Sequence, residues 1–184
     1  MIRKASLRVD AQRNRDLLLA AAEEVFFERG AGASLDDVAK RAGVGIATLY
    51  RRFPTRESLL AASFNERFLA LAAASHAREA EAGPWCAIRV YLEELVVHSN
   101  AYRGLAASLG IVLQIGSPGC QATSEEGRRL LRHAQKAGVV RPDVTFDDLV
   151  CVATATSLAA GQDGLSRERI AHLIGLFLNG VCVR

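Results

Sequence analysis

The 184-residue chain has little of what marks small secreted, metal-bound or membrane proteins. Its four cysteines, Cys86, Cys120, Cys151 and Cys182, lie about thirty residues apart with no C-x-x-C pair. That excludes zinc-finger spacing and implies no metal. No apolar run reaches the roughly 18 residues of a membrane span, and no charged-then-apolar leader precedes the first helical pattern. A cytoplasmic protein with reduced thiols is the expectation. Only 4 prolines and 15 glycines are present, too few for a low-complexity linker, and no segment alternates with the period of a strand. G-x-S-x-G, H-E-x-x-H and P-loop patterns are absent, so an enzyme reading has no catalytic motif to attach to. His76, His98, His133 and His172 stand apart in the sequence and read as solvated or singly hydrogen-bonded side chains, with no cofactor implied.

What is present is a 50% hydrophobic content, ample for a core, and an uneven distribution of charge. Residues 1–56 hold 11 Lys/Arg against 7 Asp/Glu, a balance of +4, whereas residues 57–184 hold 12 against 13, a balance of −1. Positive charge gathered at one end suits a polyanionic partner there.

The apolar pattern is helical throughout. Leu18, Ala22, Val25 and Phe26 recur at 3.6 spacing and predict a helix over 12–29, stopped by Gly30. Ser34 precedes Leu35, Asp36 and Asp37 as an N-cap signal, and Gly43 ends that short helix where a turn needs positive φ. A third helix over 45–53 is stopped by Pro54, and Thr55 caps a long fourth helix predicted to run to about residue 80. Pro84 suits the first position of a fifth. Further helices are expected over 105–115, 124–137, 146–160 and from Ser166, about nine in all, which makes the fold all-α.

Residues 34–53 therefore read helix, glycine turn, helix, an architecture that presents its second helix to the DNA major groove. Gly45, Ile46, Thr48, Arg51 and Arg52 are the outward positions, with Tyr50 beside them. They offer close approach, a hydroxyl and two guanidinium forks. Arg56 adds a cation near the start of helix four, where a phosphate is favoured. The competing readings are a protein-interaction module that uses the same corner without DNA, or a helical enzyme.

The stretch AAAEEVFFERGAGASLDDVAKRAGVGIATLYRRFPTRESLL, residues 21–60, resembles the N-terminal domain of the TetR family of transcriptional regulators. The resemblance implies a helix-turn-helix domain over 1–56 with Ser34, Gly45, Ile46, Thr48, Tyr50, Arg51, Arg52 and Arg56 at the DNA. It implies an effector-binding and dimerisation domain over 57–184, and a repressor released from a palindromic operator by a small molecule. Gly45 stands where a hydroxyl residue often caps the recognition helix, and Ala47 where glycine or proline is frequent.

Beyond residue 57 the aromatics concentrate in helices four and five: Phe64, Phe68, Trp85, Tyr91 and, just beyond, Tyr102. The resemblance places an effector pocket among helices four to seven, drawn from Phe64, Phe68, Trp85, Ile88, Tyr91, Leu92, Leu95, His98, Leu109, Leu113 and Gln114. Carboxylates are scarce on these faces, which argues for an apolar or aromatic effector. The final two helices suit a four-helix dimer interface through Leu149, Val152, Thr156, Ile170, Ile174, Phe177, Leu178 and Val181. Helix four, unbroken over about 25 residues and so roughly 37 Å long, would join reader to pocket as one rigid rod.

Overall fold

The computed structural model describes the backbone of residues 2–101, 103–163 and 166–182, and their side chains save those of residues 2–11, 80 and 161–163. Tyr102 lies outside the described residues. The described residues form α1 (Ile2–Arg29), α2 (Leu35–Arg41), α3 (Ile46–Arg52), α4 (Arg56–Ser63), α5 (Asn65–Ser99), a 3-10 turn (Leu105–Ser108), α6 (Leu109–Gln114), α7 (Pro118–Lys136), α8 (Phe146–Asp163) and α9 (Arg167–Gly180). No strand occurs among them.

Helices α1 to α4 build an N-terminal head around one apolar cluster: Leu18, Ala22, Val25 and Phe26 from α1, Val38 from α2, Leu49 from α3, and Leu59 and Leu60 from α4, all 0–1% exposed. The α1 helix begins ten residues earlier than the apolar stripe predicts, through IRKASLRVDA, a segment rich in good helix formers but without a stripe to signal it. Gly43 sits at φ 68°, and its N–H bonds to Lys40 O while that of Val44 bonds to Ala39 O, the paired bonds of a Schellman stop.

The expected rod over 55–80 is corrected. The α4 helix stops after one short run, with Phe64 at φ −87°, ψ −2°, and α5 starts at Asn65. Further on, α5 is kinked at Gly83 (φ 75°, ψ 165°), immediately before Pro84, where the sequence predicts a new helix. The α7 helix starts earlier than expected. Its cap is the Ser117–Pro118–Gly119 run: the Ser117 hydroxyl accepts from Cys120 N at 3.3 Å, with Pro118 in the first turn. In front of α8, Thr145 and Asp148 form a reciprocal capping pair, Asp148 N to Thr145 Oγ1 at 3.2 Å and Thr145 N to Asp148 Oδ2 at 2.8 Å.

Helices α5 and α7 pack at close range because α7 presents small residues to its neighbours. A Cβ on Gly119 would stand 2.3 Å from Asn65 O, and one on Gly127 would stand 2.4 Å from a Phe146 ring carbon and 2.6 Å from the Tyr91 oxygen. Between those glycines Tyr91 Oη donates to Thr123 O at 2.8 Å, and Thr123 Oγ1 donates to Phe68 O at 3.0 Å. Beyond them lies an ionic cluster. Arg129 grips both oxygens of Glu126 (2.8 and 2.7 Å) and bonds Glu79, whose other oxygen lies 2.8 Å from His133 Nδ1. Burial pushes the Glu79 and Glu126 carboxyls up, but the bonds from Arg129 and the adjacent histidines outweigh it, so both end below the usual carboxylate range.

Candidate nucleic-acid interface and effector cavity

The α3 helix is fixed from beneath and open above. Leu49 is fully buried and Phe53 nearly so, which anchors the helix at i and i+4. Gly45, Ile46, Tyr50, Arg51 and Arg52 are exposed and Thr48 is half-buried, so the outward set named from the sequence is accessible around the helix away from Leu49. Ile46 and Tyr50 are apolar or aromatic groups left in water, 36% and 50% exposed. Gly45 forms the N-cap at φ −70°, ψ 145° with no side-chain bond, as its lack of a hydroxyl requires. Ser34 is exposed, but its Oγ is occupied, accepting from Asp36 N at 3.2 Å to cap α2.

Charge in the head is unequally available. Arg29 is paired with Asp37 at 2.6 Å, Lys40 with Asp36 at 2.5 Å, and Arg41 with Glu24 and Glu28 at 3.0 Å each. At the end of α3, Arg51 and Arg52 are both exposed. Arg56, expected at a phosphate, is half-buried and turned inward: its Nη1 donates to Ala31 O at 2.9 Å and to Ala33 O.

The second site is a cavity of about 630 Å³ between α6, α7 and α8, within the size range of small-molecule sites. Gly110, Leu113 and Gln114 come from α6, Gln121, Ser124, Glu125 and Arg128 from α7, and Phe146, Asp147, Val150 and Cys151 from α8. Arg128 lies over the Phe146 ring, 4.7 Å from its centroid. Of the pocket residues expected from the sequence, only Leu113 and Gln114 line this cavity. Phe64, Phe68, Ile88, Tyr91, Leu92, Leu95 and Leu109 are 0–1% exposed and fill the core, with Trp85 packed against its edge and His98 half-buried. The Tyr91 hydroxyl is bonded inside that core and burial holds its pKa far above the ordinary value; burial likewise lowers that of His98. Helical periodicity reports which face is buried, not whether space remains there. Two carboxylates, two amides, a serine and an arginine surround Leu113, Phe146 and Val150 in this cavity.

The face of α8 and α9 needs a similar correction. Leu149, Ile170, Ile174 and Leu178 are at most 4% exposed and Thr156 is 8% exposed; they face this chain's own core. Val152, Phe177 and Val181 are half-buried. The outward surface is instead Cys151, Ala155, Leu158 and Ala159 on α8, with His172 and Leu176 on α9. Leu158 and Leu176 are 45% and 58% exposed. On a helix that is apolar on both faces, the sequence does not say which face looks inward.

No described helix is long and apolar enough to cross a membrane, and no group of three or more potential metal ligands occurs among the described residues. The family model for bacterial regulatory proteins of the TetR family matches residues 18–63, and the model for the C-terminal domain of SbtR-like transcriptional regulators matches residues 83–183. The chain is similar to the TetR transcriptional regulator SCO0520 from Streptomyces coelicolor, with 32% identity over 92% of this chain and 98% of that one, at a TM-score of 0.56. It shares its fold with RolR in complex with resorcinol (23% identity over 95% and 90% of the two chains, TM-score 0.69). It also shares the fold of the fatty acid degradation regulator FadR from Bacillus halodurans (16% identity over 89% and 93%, TM-score 0.61). No curated protein matches the chain. A helix-turn-helix head with an open recognition helix, joined to a helical bundle matched over residues 83–183, places the chain in the TetR family of bacterial transcriptional regulators.

Proposed function

We propose that the protein is a dimeric repressor that leaves a palindromic operator when a small molecule occupies the cavity between α6, α7 and α8. The observation that carries the reading is the exposed surface of α3, where Ile46, Tyr50, Arg51 and Arg52 stand in water above a buried Leu49. Thr48 and Tyr50 suit contacts to the sugar-phosphate backbone, and the two guanidinium forks suit base edges or phosphates. One such helix per chain offers too small a contact by itself, so two half-sites related by a two-fold axis are needed. The apolar outward face formed by Cys151, Ala155, Leu158 and Ala159 of α8 and Leu176 of α9 would supply that axis. On this reading the DNA-binding unit covers residues 1–56, and the remainder carries effector and partner. The polar cavity lining favours an effector with several hydrogen-bonding groups.

The test is a mobility shift at stated salt with duplexes selected from a random pool, beside sedimentation of the wild type and of Leu158→Glu/Leu176→Glu. The wild type should sediment as a dimer and retard palindromic duplexes. The double variant should sediment as a monomer and lose most of its affinity. Wild type that stays monomeric at micromolar concentration, or a shift indifferent to salt, overturns the proposal.

A further inference from the structure

The first residue of α4, Arg56, has the geometry of a clamp. Its Nη1 carries two hydrogens, and both are used, one toward Ala31 O and one toward Ala33 O in the loop between α1 and α2. These carbonyls follow the C-terminus of α1, where a cation is electrostatically welcome. On the other side of the loop the Ala31 amide donates to Arg103 O at 2.8 Å, in the turn that leads into the 3-10 turn and α6. Gly30 permits that approach. It lies at φ +87°, and a Cβ there would stand 2.7 Å from Arg103 O. The loop Gly30–Ala33 is thus bonded on one side to the helix that follows the recognition helix, and on the other to the segment that becomes a wall of the cavity.

We infer that Arg56 is a positioning residue for DNA binding rather than a phosphate ligand. With Arg103 O it grips the Gly30–Ala33 loop, and this grip sets the angle at which the head stands on the helical bundle. The inference rests on the DNA-binding reading of α3. A residue that contacts phosphate contributes counterion release, and its loss lowers the slope of log affinity against log salt by about 0.9. A residue that only holds the head in place changes affinity at every salt alike.

The experiment uses the full chain and two probes: a duplex of about 30 bp, three helical turns, selected by the wild type from a random pool, and amide hydrogen exchange without DNA. Arg56→Gln should speed exchange at the Ala31 amide and weaken duplex binding about tenfold at every salt, with the slope unchanged. Gly30→Ala removes no charge and wedges the same junction, so it should reproduce the affinity loss with the native slope. A slope lowered by about 0.9 in Arg56→Gln, with Ala31 exchange as in the wild type, overturns the inference in favour of a phosphate contact. Fast Ala31 exchange with undiminished binding in either variant overturns it too, since the loop would then be held without orienting anything. Where circular dichroism shows that Gly30→Ala does not fold, the Arg56→Gln result decides. A wild type that binds no duplex removes the regulator reading and this inference together, and is recognised by its intact exchange pattern.

Discussion

The ion pairs of the head and those of the α5–α7 contact have similar lengths and opposite surroundings. In the head, Arg41 bridges Glu24 and Glu28 from a side chain that is 36% exposed to partners 61% and 49% exposed. Between α5 and α7, Arg129 is 22% exposed and its partners Glu126 and Glu79 only 7% and 14%. Water screens the first set, so those pairs tune surface charge and are worth little to stability. The second set is committed: once α5 and α7 have closed, no charge in the cluster can lose its partner cheaply. The bundle is built to keep one arrangement, whereas the head is held by its apolar cluster and by a few bonds to its loop.

The largest expected effect follows from that contrast. Arg129→Met leaves Glu79 and Glu126 buried without their cation and should destabilise the protein by about 3–5 kcal/mol, read from urea unfolding at neutral pH. The pH dependence sharpens it. Both carboxyls are held below their ordinary values, so the cluster's contribution is fully present above the unfolded carboxylate range and is lost as pH falls through the lowered folded values. The gap between wild type and variant should therefore narrow in acid. A gap that stays constant down to pH 3 would show that Arg129 acts by packing alone.

Gly127→Ala comes next. Its Cβ would meet Phe146 and Tyr91 well inside contact distance, and overpacking of this kind costs about 1–3 kcal/mol, a fall of several degrees in unfolding temperature. An unchanged midpoint would mean that α7 stands farther from Tyr91 than described. The smallest effect is expected in the head: Arg41→Ala should leave the unfolding midpoint within error, and about 1 M salt should erase any remaining difference. A head destabilised as strongly as the bundle would break the comparison.

The same contrast explains what could be read from the chain. The head was legible because its boundaries are written in local chemistry: Ser34, Gly43, Pro54 and Thr55 each stop or start a helix by their own backbone or side-chain preference. The break at Phe64 has no such mark. The stripe Leu60, Phe64, Phe68 continues straight through it, while the backbone leaves the helix at Phe64 and α4 packs against α1 and α6. The cavity and the outward face of α8 are products of assembly in the same way. Apolar spacing identified Leu149 and Leu178 as interior, but only packing shows that the interior is this chain's own. The clamp at Arg56 was hidden because its acceptors are backbone carbonyls twenty-odd residues away, which carry no side-chain signature.

One thiol of the four has a place none of the others shares. Cys120 is sealed in the core with its Sγ donating to Val112 O, whereas Cys151 is exposed, lines the cavity and stands on the outward face of α8. Its alkylation rate is therefore a stopwatch for two events at once. A molecule in the cavity and a second chain on the outward face would each slow the reagent, the first in proportion to ligand and the second in proportion to protein, so that dilution series in the two would separate occupancy from assembly without any label on either.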